Sequence, residues 1–138
     1  MTPLVQENPI LGIDEPTITA YFAALNDERY EAVAALFAEQ GVLYPPFEEA
    51  VVGRGAIARY LSVEAVGLRV EPRKGECLST EDNERCYRLV GKAKLPLFSV
   101  NVAWQFGLNT EDQITFVTVD LLATLEELLN YQPLRQQR

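Results

Sequence analysis

The stretch Ser99-Val100-Asn101-Val102-Ala103-Trp104-Gln105-Phe106-Gly107-Leu108 decides how this chain folds. Val100, Val102, Trp104, Phe106 and Leu108 fall at every second position, and Ser99, Asn101, Ala103 and Gln105 fill the places between. A period of two belongs to a strand with one buried face, because successive side chains leave a pleated backbone on opposite sides. The same alternation precedes it from Cys86 to Phe98, where Tyr87, Leu89, Ala93, Leu95 and Leu97 are set against Arg88, Lys92 and Lys94. It returns from Ile114 to Leu122, after a turn at Asn109–Gln113. Another strand begins at Leu68–Glu71, and Glu81-Asp82-Asn83-Glu84 reads as its turn. Half-buried antiparallel strands produce this pattern.

Upstream the period changes to that of a helix. Proline suits a first helical turn, because the N–H it lacks would be unpaired there, so Glu15-Pro16 opens a helix. Ile18, Tyr21, Phe22 and Leu25 form its apolar stripe. Asn26-Asp27 interrupts the stripe and is expected to cap a second helix with the face Tyr30, Val33, Ala34, Leu36 and Phe37, stopped by Gly41. Val42–Phe47 is a short extended piece that Pro45 and Pro46 confine to an edge or a bend. Val51-Val52-Gly53 reads as a further short strand, and a third helix starts at Arg54 and packs through Ile57, Tyr60 and Leu61. Residues 1–13 read as an extended arm, 14–131 as the domain and 132–138 as a polar tail. Leu125, Leu128 and Leu129 place a short closing helix over 124–131. So short a helix persists only when docked, which fits either a permanent part of the core or a lid over an apolar opening. The fold class is α+β, with helices on one face of a curved antiparallel sheet.

Composition narrows the function. The chain has 138 residues, 48% of them hydrophobic, enough for one domain with a substantial core. Its net charge of −8 repels phosphate backbones and anionic lipid heads, so nucleic acid is not an expected partner. The basic residues from Arg54 to Lys74 lack interleaved aromatic platforms and read as solvated faces. No apolar run approaches a membrane span, the N-terminus lacks a secretory pattern, and a cytoplasmic location is expected. Cys77 and Cys86, with no histidine anywhere, would need carboxylates to complete a zinc site and read instead as free thiols, an intermolecular disulfide remaining open. The absence of histidine also removes the commonest general base near neutral pH.

Several segments in order resemble one family. Ile18–Asn26, Leu36-Phe37-Ala38 with Gly41, Pro45-Pro46-Phe47, Val51–Arg54, Asn101–Phe106, Asp120–Ala123 and Glu127–Asn130 are similar to the C-terminal, NTF2-like domain of the cyanobacterial orange carotenoid proteins. The resemblance runs over residues 15–131 and implies a cone, a curved sheet closed by helices, whose mouth admits a ligand. It further implies a free-standing homologue of that domain, without the helical half. Such proteins bind a ketocarotenoid of the echinenone or canthaxanthin type non-covalently, often as homodimers, and can pass it to helical carotenoid-binding partners in photoprotection. In that family a tyrosine and a tryptophan hydrogen-bond the carotenoid's keto oxygen. Tyr21 and Trp104 occupy the matching positions, with Leu25, Val52, Val70, Phe106 and Val119 as the apolar wall.

The chain also departs from the family. A longer, glycine-rich hairpin with another tryptophan is replaced here by the shorter Leu97-Phe98-Ser99-Val100, with Leu97 in place of that tryptophan, so the tunnel wall and the face that docks a helical partner are expected to differ from the family's. Glu64 matches a glutamate that pairs with the helical half, or is a solvated helix residue. Enzymes also use this fold, so fold alone does not decide function. An isomerase, hydrolase or cyclase would need a carboxylate base, for which Asp120 is the candidate, and a pure dimerisation module is the third reading.

Overall fold

The computed structural model describes residues 10–122. The short helix expected over 124–131, with its lid role, and the tail 132–138 lie outside them, as do residues 1–9 of the arm. The elements in chain order are α1 (Pro16–Asn26), α2 (Tyr30–Ala35), β1 (Phe37–Tyr44), β2 (Val51–Val52), α3 (Arg54–Glu64), β3 (Arg69–Glu81), β4 (Glu84–Lys94), β5 (Ser99–Leu108) and β6 (Ile114–Leu122). The strands make one sheet in the order β2-β1-β6-β5-β4-β3. Its inner face carries the helices, so the α+β class stands.

Three local expectations change. The second helix ends at Ala35, and Phe37–Tyr44 is a strand with Gly41 inside it rather than a helix stop. Leu36 and Phe37 suited either period; pairing decided, since the Ile114 N–H donates to the Leu36 carbonyl at 2.9 Å and β1 lies along β6. That strand is interior, flanked by β2 and β6, and Pro45 and Pro46 lie in the bend after its end, as one of the two expected placements had it. Because β1 runs parallel to β6 while every other pair is antiparallel, the sheet is mixed rather than wholly antiparallel. Asn26 does not cap α2; its amide turns to the backbone of Val70, accepting from the N–H at 2.7 Å and donating to the carbonyl at 2.9 Å.

The expected turns hold for physical reasons. Asp82 and Asn83 both take positive φ, 53° and 64°, as a two-residue hairpin demands. Asn109 Oδ1 accepts from the N–H groups of Glu111 and Gln113, each at 2.9 Å, which closes the β5–β6 turn. Bulges in β3, between Pro72 and Lys74 and between Cys77 and Ser79, bend the sheet where it meets β4. The exposed edge of β3 is partly covered by the end of the arm. Leu11 donates to the Arg73 carbonyl and accepts from the Gly75 N–H, while Ile10 is buried.

Among the described residues the core is apolar, and one buried hydroxyl lacks a hydrogen-bond partner. Tyr30 Oη is buried with no hydrogen bond among the described residues. An unmade bond of this kind costs about 1–3 kcal/mol. Tyr30→Phe keeps the ring and removes the orphaned group, so chemical denaturation should show a gain of about 1 kcal/mol. A loss of stability on denaturation would mean that the hydroxyl has a partner after all.

Candidate functional site

Alternation on β5 points Trp104 and Phe106 to the inner face, where α1 lies. Trp104 is flanked by Leu89 on β4 and Val119 on β6, and Phe106 by Tyr87 and Val117. From α1, Tyr21 meets the Phe106 ring edge-on at 5.0 Å and Phe22 meets Trp104 edge-on at 4.9 Å. Tyr21 and Phe22 are themselves edge-to-face at 5.1 Å, and Phe37 of β1 stands 6.4 Å from Tyr21. Edge-to-face pairs of this kind contribute about 0.5–1.5 kcal/mol each beyond the area they bury. Tyr21 and Trp104 thus belong to one aromatic cluster, linked through Phe22 and Phe106.

Each is only 2% exposed. Burial alone pushes the Tyr21 phenol well above its ordinary range, so it stays neutral and keeps its proton to donate. Leu25 and Val70 are buried in the same core, Phe106 wholly so, and Val119 is packed against it. Val52 does not join them. It pairs with Val42 on the two-residue edge strand and is 53% exposed, while the inner-face pair one step along is Val51–Leu43. Strand parity therefore turns Val52 outward. Phe22 was not among the candidate wall residues, although its place on the α1 stripe beside Tyr21 was the signal for it.

Inner-face side chains are large at one end of the sheet and small at the other. On β5 the series runs Phe106, Trp104, Val102, Val100, and on β4 it runs Tyr87, Leu89, Gly91, Ala93. Around that end the apolar rim is exposed. β4 ends at Lys94, so Leu95 and Leu97 leave the alternation expected to run to Phe98; Leu97 is 92% and Phe47 91% accessible, and Leu95, Phe98, Val66 and Leu121 are exposed as well. Phe47 is held there at φ 64°, a conformation unusual for a bulky side chain. Asp120 pairs with Ala103, next to the inner-facing Trp104–Val119 pair, so parity turns it to the outer face and solvent, away from the cluster. Glu64 is exposed at the last position of α3, and Cys77 and Cys86 are free thiols. Among the described residues no group of three or more acidic or thiol side chains could hold a metal ion. No described helix is long and apolar enough to cross a membrane.

The opposite end of the sheet is tied by polar bonds. The Glu15 carboxylate accepts from Arg85 Nε at 3.0 Å and Nη2 at 3.2 Å, and from the Tyr87 hydroxyl. Burial and this bond to Glu15 push the Tyr87 phenol up to about 12. The folded state thus disfavours ionised Tyr87, and the stability this contributes is complete below pH 10 and is lost as pH rises toward 12. Over that window the parent should lose more thermal stability than Tyr87→Phe, whose melting point starts lower. Parallel curves for the two proteins would refute the coupling.

The SnoaL-like domain family matches residues 18–86, half of the chain. The orange carotenoid-binding protein of Limnospira maxima is 37% identical over 125 residues, which cover 88% of this chain and 39% of that protein. The Anabaena orange carotenoid protein, solved binding canthaxanthin, is 36% identical at a TM-score of 0.80, over 88% of this chain and 40% of its own. At 20% identity and a TM-score of 0.60, an epoxide hydrolase/cyclase-like enzyme of salinomycin pyran ring formation shares the fold alone, over 78% of this chain and 88% of its own. The chain spans about two fifths of the carotenoid proteins it matches. With three helices on a largely antiparallel, six-stranded sheet and this similarity across nearly its whole length, the chain belongs to the SnoaL-like family with an NTF2-like fold and is homologous to the C-terminal region of the orange carotenoid proteins.

Proposed function

We propose that this protein is a non-covalent ketocarotenoid binder, a cytoplasmic carrier or store of an echinenone- or canthaxanthin-type pigment rather than an enzyme. The observation that carries this reading is the pairing of two neutral donors, Tyr21 and Trp104, within one buried aromatic cluster. A keto oxygen entering an apolar interior loses its water, at about 1–3 kcal/mol, unless donors replace it. A phenol and an indole N–H do so while adding large apolar surfaces of their own. The canthaxanthin bound by the Anabaena relative supports the ligand class. An enzymatic reading is weakened because its candidate base, Asp120, faces away from the cluster.

A carotenoid polyene is far longer than one domain of this size can enclose. The exposed rim of Leu97, Phe98 and Phe47 suits a second copy covering the protruding half, since buried apolar surface contributes roughly 25 cal/mol per Å². A two-fold homodimer on pigment loading follows, with transfer to helical carotenoid-binding proteins as its use. Expression in a ketocarotenoid-producing host should yield coloured protein, and sedimentation at micromolar concentration should show the pigmented species at twice the protomer mass. Colourless protein would overturn the ligand assignment, and a coloured monomer would overturn the assembly.

A further inference from the structure

Helix α1 carries Tyr21, yet its apolar packing alone does not fix the ends of the helix. Its N-cap residue, Glu15, makes no side-chain cap bond, and its first turn holds no acidic residue. The stripe Ile18, Tyr21, Phe22 and Leu25 is buried, and its ring contacts with Phe106 and Trp104 hold the middle of the helix but not its ends. Directional bonds are found at the two ends instead. At the start, Glu15 receives Arg85 and Tyr87, Arg85 Nη2 reaches on to Asp112 Oδ1 at 2.5 Å, and Thr17 Oγ1 donates to the Asp112 carbonyl at 2.8 Å. That circuit joins the first turn of α1 to β4 and to the β5–β6 turn. The Glu15 and Arg85 side chains are only 14% and 26% exposed, where a charge-assisted pair is little screened. At the far end, Asn26 holds both backbone groups of Val70 in β3. Tyr21 lies between these anchors.

We propose that Glu15 and Asn26 are positioning residues for the ligand: together they clamp α1 at both ends and so set where Tyr21 presents its hydroxyl. The proposal rests on Tyr21 being a ligand donor. A helix displaced by one residue moves about 1.5 Å along its axis, well beyond the roughly 0.5 Å tolerance of a binding constellation. The Arg85 pair is absent from the apolar pattern that predicts α1, and so is the Asn26 pairing, because both partners are distant in sequence.

The test uses the full chain, with Glu15→Gln, Asn26→Asp and, as a control, Ile57→Val in the core of α3. The 13Cζ resonance of Tyr21 is read without pigment, and canthaxanthin affinity is read by titration. Glu15→Gln and Asn26→Asp should each shift the Tyr21 resonance and weaken canthaxanthin binding by roughly tenfold, the scale of one impaired hydrogen bond. Ile57→Val should lower the melting point while leaving both readings at the parental values. Should the end variants behave like Ile57→Val, with only the melting point moved, the clamp is structural and the proposal fails. Parental binding by Tyr21→Phe would remove the donor role separately, and the pigment-free resonance would still decide whether the ends of α1 place Tyr21.

Discussion

Replacing Tyr21 and Trp104 together by Phe is expected to weaken canthaxanthin binding by roughly a hundredfold and to shift the absorption of whatever pigment remains bound. Each replacement removes a donor and keeps an aromatic ring, so the keto oxygen enters the same apolar cluster with no replacement for its lost water. Two hydrogen bonds, each with a net contribution of about 0.5–1.5 kcal/mol, together contribute about 1–3 kcal/mol, and a hundredfold lies toward the upper end of that range because both donors serve one desolvated oxygen. Tyr21→Phe isolates the effect, because the ring contacts with Phe22 and Phe106 survive. Trp104→Phe also leaves a gap beside Leu89 and Val119, so a lower melting point accompanies it. The pigment-free melting point therefore has to be measured beside the affinity. A double variant that binds and absorbs like the parent would show that the ligand is held elsewhere.

The largest stability effect is expected at Gly91, in the middle of β4. A Cβ there would lie 2.2 Å from the carbonyl oxygen of Glu71 and 2.7 Å from the Cα of Pro72. Both are backbone atoms of β3 beside its bulge, so relief requires moving the strand rather than rotating a side chain. Gly91→Ala should therefore destabilise the domain by about 3 kcal/mol or more in chemical denaturation. Gly55 supplies the contrast. It sits in α3 with only the end of the Arg59 side chain near, 3.5 Å from an added Cβ. There alanine should stabilise by up to about 1 kcal/mol, as a better helix former. Equal effects at the two positions would show that β3 does not press on β4 as closely as the geometry requires.

Much of this site was readable in the chain because the signals are local. The period of two in β5 places Trp104 and Phe106 on one face whatever lies opposite, and the stripe on α1 does the same for Tyr21 and Leu25. Parity could also have turned Asp120 outward, since it alternates with Val117 and Val119. Val52 was not legible in this way, as a two-residue strand carries too short a pattern to show its face.

Residue spacing alone was enough for the α+β class, the first and third helices, the hairpin at Asp82-Asn83 and the inward faces of β5 and of β4 as far as Ala93. These follow from backbone geometry and side-chain spacing within a few residues. Long-range contacts made the remaining choices: Phe37–Tyr44 is a strand lying parallel to β6, Asn26 binds Val70, and Glu15 meets Arg85 and Tyr87. The physical reason is the same in each case. Leu36 and Phe37 serve a helix or a strand equally well, and an amide or a carboxylate bonds whichever complementary group the fold brings near. Such choices are made by partners 44 to 72 positions away for the side chains, and by the β6 edge for the strand. No local pattern contains them.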